Sequence, residues 1–217
     1  IEPLPVNILE ELSSLGEISS AVELATMVSK KGQSPVFTEI RAVDGNYPLY
    51  GEIETIPEGV GEKLFLSAQK PTVLINESIQ KLLQVKTGED VVIMGKSFEV
   101  AGIVASVPDL QNSAVFGEFA IISKTSYDQF ELSSGGSFLD YEYRLKFNNP
   151  NEDGEQAKLV ESIVAYDNTI ETLLPNDSSQ SLSRVIDNFS NFLNLVSVRA
   201  MIIAGIGISN TLLSFVN

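Results

Sequence analysis

The sequence predicts an α+β fold built on a mixed sheet. Three observations carry this: short runs of period-two alternation recur from Ile18 to Phe147, short amphipathic helical patterns separate some of them, and glycine-marked turns punctuate the rest. The chain has 217 residues, long enough to bury a substantial core. Acidic residues outnumber basic ones 29 to 14, for a formal charge of −15. Phosphate contacts need clustered Lys and Arg, so this balance argues against a nucleic-acid partner. The absence of His and Cys removes zinc and thiolate sites, cysteine nucleophiles and histidine-based triads. A mean hydropathy of +0.12 beside this charge places one much more apolar segment somewhere in the chain.

Residues 1–16 read as a short helix. Pro5 suits its first turn, Ile8, Leu9, Leu12 and Leu15 form one face, and Gly16 is positioned to end it in a left-handed cap. Ile18, Ser20, Val22, Leu24, Thr26 and Val28 alternate as a half-buried strand, Lys30–Gln33 is a turn, and Val36 to Val43 is a second strand, so a hairpin follows. In the segment after it, Asp44-Gly45 marks a turn and Pro48 favours an extended Tyr47. Tyr47, Pro48 and Tyr50 give this segment amphipathic surface, either as an interaction loop or as a packed connection.

Thr72 to Ile75 is a short buried strand, and Asn76 caps a helix whose apolar face is Ile79, Leu82 and Leu83. Gly88 and Gly95 then separate short β-rich runs, read as a compact insert at about residues 85–112. Phe119 to Ser123 is a strand and Ser126 to Leu132 a short helix. Tyr141 to Phe147 alternates with Glu142, Arg144 and Lys146 on one face. A helix carrying Ala157, Val160 and Val164 and a last strand, Thr169 to Leu174, complete the domain, taken as residues 1–179.

Residues 180–217 are different in kind. Leu182, Val185, Ile186, Phe189, Phe192, Leu193 and Val196 recur at helical spacing opposite a polar face, while Ala200 to Val216 is apolar or small all round and uncharged. The reading is an amphipathic stalk helix running into a truncated transmembrane helix, with Arg199 at the membrane entry. Gly205 with Ser209 offers a small-residue face for close helix packing, whereas in a soluble helix interior each glycine costs roughly 1 kcal/mol relative to alanine.

At this point the residues resemble a known family. Gly205, Gly207 and Asn210 fit a Gly-x-Gly-x-x-Asn pattern at the head of the second membrane helix of MacB/FtsX-type ABC transporter permeases. The loop around Tyr47-Pro48-Leu49-Tyr50 resembles the YbbP-like branch of that family, and the strand, helix, turn and Phe98-x-Val100-x-Gly102-Ile103-Val104 order resembles its periplasmic core, with Gly88-Glu89-Asp90 standing where Gly-Asp is frequent. The resemblance implies the extracytoplasmic domain of a multi-pass cell-membrane permease. It implies mechanotransmission from an ABC ATPase subunit, with ATP held by that partner and no cofactor, metal or catalytic residue in this chain. The lipid bilayer, a second permease copy and an extracytoplasmic accessory protein are the further partners it suggests. A beginning at Ile1 with no signal peptide fits excision from a larger protein.

The rival from another class is a membrane-anchored extracellular binding module or serine hydrolase. Without histidine, a serine nucleophile would need a lysine base, and Ser78-Ile-Gln-Lys81 supplies the Ser-x-x-Lys spacing on a helix. No companion Lys-Thr-Gly stands at the usual distance, since Lys86-Thr87-Gly88 follows too soon. The acidic run Asn149–Glu155 has the wrong spacing for an EF-hand.

Overall fold

The computed structural model describes residues 3–61, 70–108, 117–129, 139–149, 153–167 and 169–173, with single helical positions at Leu193 and Ser197. The chain divides into two compact units, Ile1–Ile163 and Val164–Asn217. The described strands all lie in the first unit. In order they are α1 (Val6–Leu15), β1 (Gly16–Ser29), β2 (Val36–Val43), β3 (Glu54–Ile56), β4 (Thr72–Asn76), α2 (Glu77–Leu83), β5 (Asp90–Ile93), β6 (Lys96–Ser106), β7 (Phe119–Ser123), α3 (Lys124–Gln129), β8 (Leu139–Phe147) and α4 (Asp153–Val164).

One mixed sheet joins all eight strands. The β2–β7 and β4–β6 pairs are parallel and the others antiparallel. The pairings β1–β2, β2–β7, β7–β4, β4–β6, β6–β5 and β5–β1 close a circuit of six strands, with β3 on β6 and β8 on β1. Strand β1 can serve three neighbours because it is long: Ala21–Val28 faces β2, while the opposite edge meets β8 over Gly16–Leu24 and β5 at Val28–Ser29.

Period-two alternation puts one set of strand residues on one face and the rest on the other. The larger cluster unites Val22, Leu24, Ile40, Val73, Phe98 and Ile122, and α2 and α3 add Ile79, Leu83 and Tyr127 to it. The smaller cluster, on the opposite face, gathers Leu74, Ala101, Val104 and Ile121 beneath Tyr47 and Val60 from the loops. A register shift of β6 against β4, between Val100 and Gly102, lets residues three apart share a face, so Val100 and Ile103 belong to the larger cluster and Ala101 and Val104 to the smaller.

Several expectations change on inspection. The helix over Val6–Leu15 forms, but Gly16 does not close it in a left-handed cap: its φ is 174°, and the chain passes straight into β1. Glycine is needed there because a Cβ would lie 2.1 Å from the Lys146 carbonyl oxygen across the ladder. The β-rich segment around 85–112 contributes β5 and β6 to the middle of the sheet rather than standing apart from it. Val91, Ile93, Phe98 and Val100 are buried in the larger cluster, and truncating a buried phenylalanine alone costs about 3–5 kcal/mol. Met94 and Gly95 both have positive φ, 48° and 79°, which makes the β5–β6 connection the two-residue turn that matches strand twist.

Asn76 caps α2 as read, its Oδ1 accepting from the Ile79 amide at 3.1 Å, but Leu82 is exposed while Ile79 and Leu83 are buried. The short helix α3 begins at Lys124, two residues before the expected Ser126, and residues 130–132 of the expected span lie outside the described residues. The expected last strand is not one: Thr169–Leu173 is in no strand, and Leu174 is outside the described residues. The Asp167 carboxylate accepts both the amide and the hydroxyl of Thr169 at 2.8 Å, a local turn that engages an amide a ladder would have used. The stalk and membrane-helix reading of 180–217 falls outside the described residues, apart from Leu193 and Ser197. Among the described residues no helix is long and apolar enough to cross a membrane.

Candidate functional site

The loop that follows β2 is fastened to β1 at its first residue. Asp44 Oδ2 accepts from the Ser20 amide at 2.5 Å and the Ser20 hydroxyl at 2.8 Å, while Oδ1 accepts from the Ser19 hydroxyl and the Asn46 amide, both at 3.1 Å. Asn46 Nδ2 adds a bond to the Ile18 carbonyl at 2.8 Å. Four acceptor contacts on one carboxylate fix where the loop leaves the sheet. The Tyr47–Pro48 bond is cis. Tyr47 is buried in the smaller cluster, Pro48 is half-buried, and Tyr50 is 68% exposed, so the structure separates an anchoring tyrosine from a presented one.

Beneath Tyr47 lies an ionic network centred on Arg41. The β1–β2 register sets Glu23 directly opposite Arg41, and the β1–β8 register sets Glu142 opposite Ala21, one diagonal away. Arg41 Nε donates to Glu23 Oε1 at 2.7 Å, Nη2 pairs with both Glu23 and Glu142, and Nη1 donates to the Tyr47 hydroxyl at 3.3 Å. Glu142 Oε1 takes Arg144 Nε at 2.6 Å. The guanidinium of Arg41 also stands 5.8 Å from the Tyr47 ring centre, and Lys146 Nζ stands 4.9 Å from that of Tyr50.

Burial works against the charge of Arg41, but the carboxylates of Glu142 and then Glu23 more than offset it, so its pKa is raised and it stays a cation. Burial pushes the Glu142 carboxyl up, with Arg41 acting against it, and likewise raises the Tyr47 hydroxyl, which remains neutral. Burial and then the like charge of Arg41 lower Arg144. These groups hold one another, and the chemistry they support is binding and positioning.

Of the residues singled out in sequence, Tyr47 joins the Arg41 network, Tyr50 meets Lys146, Pro48 is half-buried, and Gly205, Gly207 and Asn210 lie outside the described residues. Ser78 and Lys81 are engaged separately, the hydroxyl donating to Glu118 Oε1 at 3.0 Å and the ammonium pairing with Glu77 at 2.8 Å. Among the described residues no group of three or more Asp or Glu is placed to hold a metal ion. The sequence reading missed Arg41, Glu23 and Asp44 as site residues. Pairing the hairpin in register from its turn would have set Glu23 against Arg41.

No family model matches the chain. Over 154 residues it is 27% identical to the uncharacterized ABC transporter permease YbbP of Escherichia coli (strain K12), covering 70% of this chain and 18% of that one, so the chain spans under a fifth of that relative's length. The extracellular domain of the noncanonic ABC-type transporter YknZ from Gram-positive bacteria superposes with a TM-score of 0.54 at 9% identity, covering 73% of this chain and 83% of that domain. The periplasmic region of MacB from Actinobacillus actinomycetemcomitans gives 0.48 at 13% identity, covering 75% of each. The YknZ domain thus shares this chain's α+β mixed-sheet fold, and in sequence the chain is similar to the ABC transporter permease YbbP.

Proposed function

We propose that the chain is the extracytoplasmic domain of a multi-pass cell-membrane permease. A separate ABC ATPase subunit binds and hydrolyses ATP, and this domain passes the resulting motion to an extracytoplasmic substrate or partner. The observation that carries this reading is where the chain enters and leaves the sheet. Gly16 pairs with Phe147, the Asn148 amide donates to the Leu15 carbonyl at 3.0 Å, and the Leu4 amide donates to the Tyr143 hydroxyl at 3.1 Å. Entry and exit at one place are what a domain inserted between two segments of a longer protein requires, and they give a displacement of those segments a direct hold on β1 and β8.

On this reading the domain does no covalent chemistry and holds no cofactor. The loop of Tyr47, Pro48 and Tyr50 is an interaction surface, residues 180–217 form the stalk and the head of a membrane helix in the bilayer, and Gly205, Gly207 and Asn210 belong to that helix. A second permease copy or an accessory protein completes the assembly, and nucleic acid plays no part.

The test is a bridged deletion in the full-length protein. Paired strand residues lie about 5 Å apart, so residues 17–146 can be replaced by a short Gly-Ser linker. The remainder should still co-purify with its ATPase. Loss of ATPase binding would place the domain on the wrong side of the membrane.

A further inference from the structure

We propose that the loop from Asp44 to Gly51 is a position read-out of β8, the strand that carries the chain out of the sheet. This rests on the reading that motion reaches the domain through its entry and exit segments. Its backbone ladder among the described residues runs along β1 alone, over Gly16–Leu24. Yet the charged face of β8 reaches across β1 to the β2 side: Glu142 holds Arg41 of β2, and Arg41 in turn donates to the Tyr47 hydroxyl at 3.3 Å. Two residues further along that face, Arg144 holds the other oxygen of Glu142 at 2.6 Å, and a further two along, Lys146 sits 4.9 Å from the ring of Tyr50. The loop is thus tied to one face of β8 directly at Tyr50, through Lys146, and indirectly at Tyr47, through Glu142 and Arg41, while Asp44 pins its start to Ser19 and Ser20 of β1.

These holds differ in kind, and the difference makes the device. Tyr47 is buried with a buried partner, so that contact resists sliding, whereas Tyr50 is largely exposed and its cation contact is worth little. Lys146 pairs across the ladder with Glu17, one residue from the Gly16–Phe147 pair where the chain enters and leaves. A shift of β8 along β1 therefore moves Lys146 first and releases Tyr50, while Asp44 and Tyr47 keep the loop's root in place. The exposed tyrosine is re-presented without unfolding the sheet.

The experiment is hydrogen exchange on the 217-residue chain with no ATPase present. Lys146→Ala should speed exchange in the amides of residues 44–51 about threefold, the population shift that losing one exposed cation–aromatic contact produces. Tyr50→Ala should speed exchange in residues 139–147 by a similar factor, because coupling between two sites is reciprocal. Lys146→Arg should restore the wild-type rates, which a loss of packing would not allow. Tyr50 is exposed and Lys146 half-buried, and unchanged protection in β4 and β7 verifies that the variants keep the fold. If each alanine substitution affects only its own segment, the read-out does not exist, and the membrane placement of the domain stands or falls separately by the bridged deletion.

Discussion

Arg41 shows how one side chain can set the terms for three elements. Its side chain is 7% exposed and it serves Glu23 and Glu142, whose side chains are 26% and 35% exposed. Removing one partner of a fully buried pair costs about 3–5 kcal/mol, and water at the two carboxylates lowers this, so Arg41→Met should destabilise the chain by about 2 kcal/mol in a denaturant titration. A loss within error would mean that the network is ornamental. A second residue-scale prediction concerns Glu89, which accepts from Lys30 Nζ at 2.6 Å and from the Lys86 amide at 2.8 Å. The Lys30 contact first, then the amide, holds its carboxyl below the ordinary 4.5. A group lowered in the folded state stabilises it above the unfolded pKa, and that contribution is lost as pH falls through the folded pKa. Carboxyl resonances followed by NMR should titrate below 4.5 for Glu89 and move upward in Lys30→Met. An unmoved midpoint would show that Lys30 is not the cause.

At the scale of elements, much of the first unit was legible because its signals are local. Alternation marked β1, β2 and β8, helical spacing marked α1 and α4, and Asn76 announced α2. The Asn76 side chain also donates to the Gly117 carbonyl at 2.9 Å, so Asn76→Ala loses a cap worth about 1 kcal/mol together with a tie to the approach to β7. Thermal unfolding should register that loss, and Asn76→Asp, which keeps the capping oxygen, should recover part of it. What local signals did not carry is partnership. Turn glycines made residues 85–112 look self-contained, but the parallel pairing of β6 with β4 is a contact between residues separated by the whole of α2 and β5. Gly16 misled for the same reason: its need for a missing side chain comes from Lys146, 130 positions away in sequence, and not from the end of its own helix. The tyrosine loop was found through composition, while its anchors were missed because Arg41, Glu23 and Glu142 meet only once three strands are in register.

For the whole molecule, the closed circuit of six strands makes a stiff body, and the entry and exit of the chain at Gly16 and Phe147 give that body one point of attachment within the sheet. Tyr50 marks the surface that the proposed function places outside the cell. The chain has no cysteine, so Tyr50→Cys gives this domain a single thiol. The decisive measurement is labelling of that thiol in the full-length protein, with any cysteine elsewhere replaced, by a membrane-impermeant maleimide in intact cells. An extracytoplasmic domain predicts labelling before lysis to the same extent as after it, and labelling that appears only once the cells are lysed would contradict the account.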